Sequence, residues 1–125
     1  KEGSAPATIM SNIAKGYSEK EIDAMGAYFA SQEYIPREQP HNMKLAAEGK
    51  VLHEKYCVKC HDNDPDDESG FLSGQWMPYL EYALADYQSG AAKAPKKMAA
   101  KLKDLTASHG AGGITKLLHY YGSAK

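Results

Sequence analysis

Cys57-Val58-Lys59-Cys60-His61 is the stretch from which the rest of this chain is read. Two cysteines separated by two residues and followed at once by histidine form the attachment pattern of c-type haem. Attachment through both vinyl groups of one porphyrin edge needs two thiols projecting to the same side. The next residue then falls under the ring, where its imidazole binds the iron. The spacing therefore predicts one covalent haem c on Cys57 and Cys60, with His61 as proximal ligand. Other readings of the cysteine pair fit less well. A zinc knuckle needs further ligands at similar spacing, but the chain has 2 cysteines, and His41, His53, His109 and His119 are scattered. A thioredoxin-like pair needs a βαβ setting, and no strand-rich run lies nearby. A disulfide would close a short, strained ring that stabilises little.

A chain of 125 residues suits one ordinary domain, with room for an added fragment. An apolar fraction of 42% argues against wholesale disorder. A haem would add a large apolar body to a core that is otherwise small. The formal net charge of −1 offers nothing to nucleic acid or an anionic membrane. No apolar run reaches the length of a membrane helix, and no basic-then-apolar segment opens the chain. Covalent haem implies assembly outside the cytoplasm. The expectation is a periplasmic protein, with Lys1-Glu2-Gly3 a mature or trimmed terminus left after an export signal.

Outward from the cysteines, Leu45, Ala46, Val51, Leu52 and Tyr56 predict a helix that starts near Gln39–Asn42 and runs up to Cys57. Further upstream, Ser18-Glu19-Lys20-Glu21 is a capping box. With Ile22, Met25, Tyr28 and Phe29 behind it, a helix is expected over about 19–33. Ser31–Pro40, with two prolines, reads as a linker. Downstream, Asp62–Gly74 reads as an acidic, Gly-punctuated loop. It lacks the glycine and terminal glutamate of a calcium loop. Pro78 suits the first turn of a helix through Leu80, Leu84 and Tyr87, closed by Ser89-Gly90. Ala91–Lys97 reads as a loop. The last helix is expected over 113–121, because Ser108–Gly113 is rich in glycine. No strand is expected anywhere. There is also a weak internal echo. Met10, a capped helix and Tyr28-Phe29 answer Met98, Leu105-Thr106, a helix and Tyr120-Tyr121.

Methionine paired with histidine gives a six-coordinate haem iron of raised potential. Of the 5 methionines, Met25 sits on an apolar helix face and Met43 precedes the haem helix. Met77 opens the next helix. Met98 follows the Pro95-Lys96-Lys97 loop, far enough beyond His61 for a helix and a loop to wrap the porphyrin. Met98 is the predicted distal ligand, with Met77 the runner-up and an open or water-bound iron third. His53 shares a helix face with Cys57 and is expected to be a packed or hydrogen-bonded surface residue. Lys96, Lys97 and Lys101 beside Met98 fit either charge that steers an acidic partner or plain solubilising charge. Trp76, Tyr79, Tyr82 and Tyr87 are expected mainly to pack.

At these residues the chain resembles class I bacterial c-type cytochromes. In that fold a glycine eight before the first cysteine lets the N- and C-terminal helices cross closely. Gly49 holds that place here, with Leu117, Tyr120 and Tyr121 on the last helix. His53 stands where the family usually has an aromatic residue. The runs Gly74-Gln75-Trp76, Tyr79-Leu80-Glu81, Asp86-Tyr87 to Gly90, and Pro95-Lys96-Lys97-Met98 resemble a narrower group. They look like the second haem domain of the cytochrome subunit of flavocytochrome c sulfide dehydrogenase, and Asp67-Glu68-Ser69-Gly70 fits it too. Thr8-Ile9-Met10 with Ile13-Ala14-Lys15-Gly16-Tyr17-Ser18 is similar to the back half of that subunit's first haem domain. Such subunits typically carry two haems, whereas this chain has one attachment motif.

The resemblance implies an all-α chain. A class I cytochrome c domain would span 38–125, preceded by a helical remnant of a second cytochrome-like domain over 1–37. It implies electron transfer by one haem c, with Cys57 and Cys60 covalent and His61 and Met98 axial. The donor would be an FAD-bearing flavoprotein subunit that oxidises sulfide, and the acceptor a soluble cytochrome c. The chain itself would do no bond chemistry. A free-standing periplasmic carrier for another dehydrogenase or oxidase is the alternative. A gas-binding sensor, with Met98 displaced, is a more distant one.

Overall fold

A computed structural model describes residues 9–62 and 70–124. Among the described residues all regular elements are helices, so the chain is all-α as expected. It divides into two compact units, one ending at Tyr34 and the other starting at Ile35.

The first unit holds α1 (Ile9–Lys15) and α2 (Glu19–Ala30). The capping box forms as read. Glu21 Oε2 accepts from the Ser18 amide at 2.8 Å, and Ser18 Oγ accepts from the Glu21 amide at 3.3 Å. The helix stops three residues short of the expected end. Ser31 Oγ and Gln32 Nε2 both donate to the Tyr28 carbonyl, at 2.7 and 3.1 Å, satisfying an acceptor that a further turn would have used. Neither helix buries a residue. Ile22 is half-buried, while Met25 and Phe29 are exposed, Phe29 at 71%.

The second unit holds α3 (Met43–Tyr56), α4 (Met77–Ser89) and α5 (Lys96–Tyr121). Asn42 caps α3, its Oδ1 accepting from the Leu45 amide at 3.0 Å. The Asn42 amide donates to His119 Nδ1 at 3.1 Å, which ties the start of α3 to the end of α5. Leu52, Leu80, Leu105, Leu117, Leu118 and Tyr121 form the core. Val51 was expected on the apolar face, but a step of about 100° per residue turns it away from Leu52, and it is 62% exposed.

Helices α3 and α5 pack at Gly49. A Cβ there would overlap the Lys116 carbonyl and lie 2.9 Å from Tyr120 Cβ, so the crossing is possible only without a side chain. Glu48 and Lys116 close the contact from its rim, 2.8 Å apart.

Residues Ile35–Pro40, read as linker, belong to the second unit. The Arg37 amide donates to the Gly74 carbonyl, and the Gly74 amide to the Tyr121 carbonyl, both at 2.8 Å. Gly74 has φ 78° with Pro36 packed where its side chain would be. Gln39 completes this strap. Its Nε2 donates to the Gln75 carbonyl at 2.8 Å, and its Oε1 accepts from the Met77 amide at 2.9 Å. That last bond replaces a cap at α4, where Trp76 offers no side-chain acceptor. Prolines did mark an irregular backbone here, but hydrogen bonds fix it.

Helix α4 ends at Gly90, left-handed at φ 80°, as the Ser89-Gly90 pair predicts. The expectation for the tail needs correction. Helix α5 begins at Lys96, before the expected end of the loop, and runs through the glycine-rich stretch to Tyr121. Only Gly110 is non-helical, at φ 57° and ψ −158°. Burial of Leu105 on one side of the break and of Leu117 and Leu118 on the other outweighs the poor helix propensity of Gly112 and Gly113. The echo between the halves survives in outline. Each unit has a methionine early in one helix, a glycine-bearing break, and a second helix ending near paired aromatics.

Candidate haem-attachment site

The motif is a compact turn at the end of α3. The Cys57 and Val58 amides both donate to the His53 carbonyl, at 2.8 and 2.9 Å. The Cys60 and His61 amides both donate to the Cys57 carbonyl, at 3.1 and 3.0 Å. The five residues are thus wound on one another, in a turn that follows directly on α3. Both thiols are free. Cys57 is half-buried and packs on the core, whereas Cys60 is exposed. Burial pushes the Cys57 thiol above its ordinary pKa, opposed by a hydrogen bond from Tyr121.

His61 is half-buried, and its Nδ1 is buried without a hydrogen-bond partner among the described residues. The other histidines all have partners. His41 Nδ1 meets the Gln39 carbonyl at 3.1 Å, and His119 Nδ1 accepts from Asn42. His109 stands edge-on to Tyr56, with ring centroids 5.9 Å apart. His53 is 4% exposed and not a surface residue, contrary to expectation. Its Nδ1 lies 3.0 Å from the Tyr121 hydroxyl, and its ring packs on Tyr120 and Tyr121 at 5.2 and 5.6 Å. The imidazole therefore does the packing of an aromatic ring at the helix crossing. Burial, then the nearby His61, holds its pKa below the ordinary value.

Met98 lies in the first turn of α5 and is half-buried. Met77 packs against the core, with its sulfur in the space where a Gly122 side chain would stand. Met43 is 81% exposed. Lys93, Lys96, Lys97, Lys101 and Lys103 are all exposed around that first turn. Asp62 is described, but the rest of the acidic run, 63–68, lies outside the described residues. Three of the aromatics do not pack within the chain itself. Trp76, Tyr79 and Tyr82 are 54%, 58% and 73% exposed, and Arg37 stacks 5.6 Å above Trp76. A cleft of about 220 Å³ runs beside Tyr79, Tyr82 and Tyr87. A second, of about 340 Å³, lies between α4 and α5 at Gly110. Neither is lined by the cysteines or His61.

Sequence reading missed the cluster of Cys57, His53 and Tyr121. The signal was there in part, since His53 and Cys57 are four apart on α3. Tyr121 arrives from the far end of the chain.

These residues fit a haem c. Two free thiols and an imidazole follow one another on a single hydrogen-bonded turn. The imidazole alone among the five has a buried nitrogen that no described residue satisfies. Among the described residues no three His, Cys, Asp or Glu side chains converge as a metal cluster. No described helix is long and apolar enough to cross a membrane. No family profile matches the chain, and no curated protein sequence matches it.

Proposed function

We propose that this chain is a periplasmic electron-transfer protein carrying one haem c. Cys57 and Cys60 hold the haem covalently, His61 is the proximal iron ligand and Met98 the distal one. The observation that carries this reading is His61 itself. It follows two free cysteines on one turn and keeps a buried nitrogen with no partner among the described residues, while its four fellow histidines are engaged elsewhere. The close crossing of α3 and α5 at Gly49 supports a class I cytochrome c fold for the second unit. Packing of Met77 into the core leaves Met98 as the better distal ligand. When bound, the haem supplies a one-electron carrier. Cys57 and Cys60 would attach it, and the Met98 thioether would raise its potential.

The donor in this reading is an FAD-bearing, sulfide-oxidising flavoprotein subunit, and the acceptor is a soluble cytochrome c. The runs at 74–90 and 95–98 support that choice. Haem reduction on adding sulfide to the natively purified material, with the separated chain as control, tests it. Fast reduction in the native preparation alone supports a flavoprotein donor. Equal, slow reduction in both removes that donor and leaves a free-standing carrier.

A further inference from the structure

Helix α4 has two apolar faces, and the fold uses one of them. Met77, Leu80 and Leu84 pack on the core. Tyr79, Tyr82, Ala83 and Asp86 follow one another at helical spacing on a neighbouring face. With Tyr87 and Ala92 they line the cleft of about 220 Å³. Trp76 opens this face at 54% exposure, and Tyr79 and Tyr82 continue it at 58% and 73%. Glu81 and Gln88 lie away from it, in the cleft beside α5. Large exposed aromatics gathered on one face are the composition of an interface, unlike apolar residues scattered singly.

The charges on this face run head to tail. At the start of α4 the Arg37 guanidinium lies 5.6 Å from the centre of the Trp76 ring. Asp86 is exposed about 15 Å further along the axis, at 1.5 Å per residue. A second α4 laid antiparallel across a two-fold axis sets each Arg37 against the Asp86 of the other copy. In that register Tyr79 of one copy falls opposite Ala83 of the other, a large side chain against a small one, and the two Tyr82 rings meet near the axis. We propose that this face is the interface of a homodimer, with α4 packed antiparallel on α4 of a second copy. One patch carries both halves of the charge pair, as a two-fold interface requires, and this favours a second copy over a different protein. The formal net charge of −1 adds little repulsion between copies. The three exposed aromatics supply on the order of 400 Å² per copy, near the small end of specific interfaces. Exposed Lys93 follows Ala92, whose amide bonds the Asp86 carbonyl, and it opposes the incoming Arg37. The dimer is therefore weak and forms with concentration. No proposed haem ligand lies on this face, so the inference does not rest on the haem c reading.

The test is sedimentation velocity of the full chain, exported from a host with haem-attachment machinery, over concentrations from nanomolar to sub-millimolar. Wild type should pass from monomer to dimer across the series. Tyr82→Glu should weaken the dimer about tenfold or more, with circular dichroism unchanged. Arg37→Glu and Asp86→Arg should each do the same alone, because each sets like charges opposite one another. Arg37→Glu leaves the strap in place, since Arg37 holds Gly74 through its amide. An equimolar mixture of these two variants should regain the wild-type association, each carrying the charge the other needs, and a misfolded variant could not. Phe29→Ser, outside this face, should match wild type. A monomer at every concentration overturns the proposal and leaves the face to a different partner. A dimer that persists in Tyr82→Glu, or a mixture no tighter than either variant alone, also overturns it.

Discussion

His53 Nδ1 and the Tyr121 hydroxyl lie 3.0 Å apart across 68 residues of chain, both buried where α3 meets α5. A buried polar pair of this kind specifies one register for the crossing, since a slip would leave both groups unpaired. Removing the hydroxyl by Tyr121→Phe leaves the ring in place and strands His53 Nδ1. Urea denaturation should show a loss of about 1–3 kcal/mol, the cost of an unsatisfied buried partner. A loss within error would mean that the bond contributes nothing to the fold.

The same histidine makes stability depend on pH. Its folded pKa is depressed by burial and by His61, whereas the unfolded chain titrates at the ordinary value of 6.5. Above that value both states are neutral and the contribution is fully present. As pH falls below it, the unfolded chain takes up the proton first, so stability declines until the folded state also protonates. The urea midpoint should therefore drop between about pH 7.5 and pH 5.5, and drop less in His53→Phe. Identical pH dependence in the two proteins would contradict this assignment.

Gly49→Ala addresses the crossing itself. The added methyl would overlap the Lys116 carbonyl, a backbone atom that cannot swing away as a side chain would. The helices must separate, at a cost of about 1–3 kcal/mol or more. Thermal unfolding reads it directly, and an unshifted midpoint would show that the crossing is looser than described.

Gly110→Ala separates conformational strain from crowding. A Cβ there meets nothing within 4 Å, yet φ 57° with ψ −158° is a region nearly closed to other residues. The substitution should cost about 1–3 kcal/mol by strain alone. Unchanged stability would mean that the chain straightens through the break at no cost.

Much of this fold lay open in the sequence because its signals are local. Ser18 with Glu21 marks a helix start through bonds made within a few residues; Pro78 marks one through its fixed φ, and Gly90 marks an end through its left-handed one. Gly49 was expected through the resemblance to class I cytochromes, and the close approach of the helices there admits one residue type. The features missed depend on contacts far along the chain. Gln39 reaches α4, Gly74 reaches Tyr121, and the glycine-rich run is helical because Leu105, Leu117 and Leu118 pack together. Nothing local distinguishes Gly110 from Gly112 or Gly113. At the candidate site the cysteines and His61 were legible by spacing. The burial of His53 was not, because a polar residue at a core position betrays itself only when its partner is known.

The two methionines should separate cleanly. Met98→Ala should lower the midpoint potential of the haem and let carbon monoxide bind the reduced iron. Met77→Ala should leave the spectrum unchanged and cost about 2–5 kcal/mol of stability, as a packed core side chain does. The reverse pattern would exchange the ligand and core assignments.

The most direct test of the central claim is whether haem stays with the chain under denaturing extraction. Protein exported from a host with haem-attachment machinery would be treated with acidified acetone and its absorption compared with that of a Cys57→Ala, Cys60→Ala double variant. The account predicts haem retained by the wild-type chain and none by the variant. A wild-type chain that gives up all its haem, or never acquires any, would contradict it.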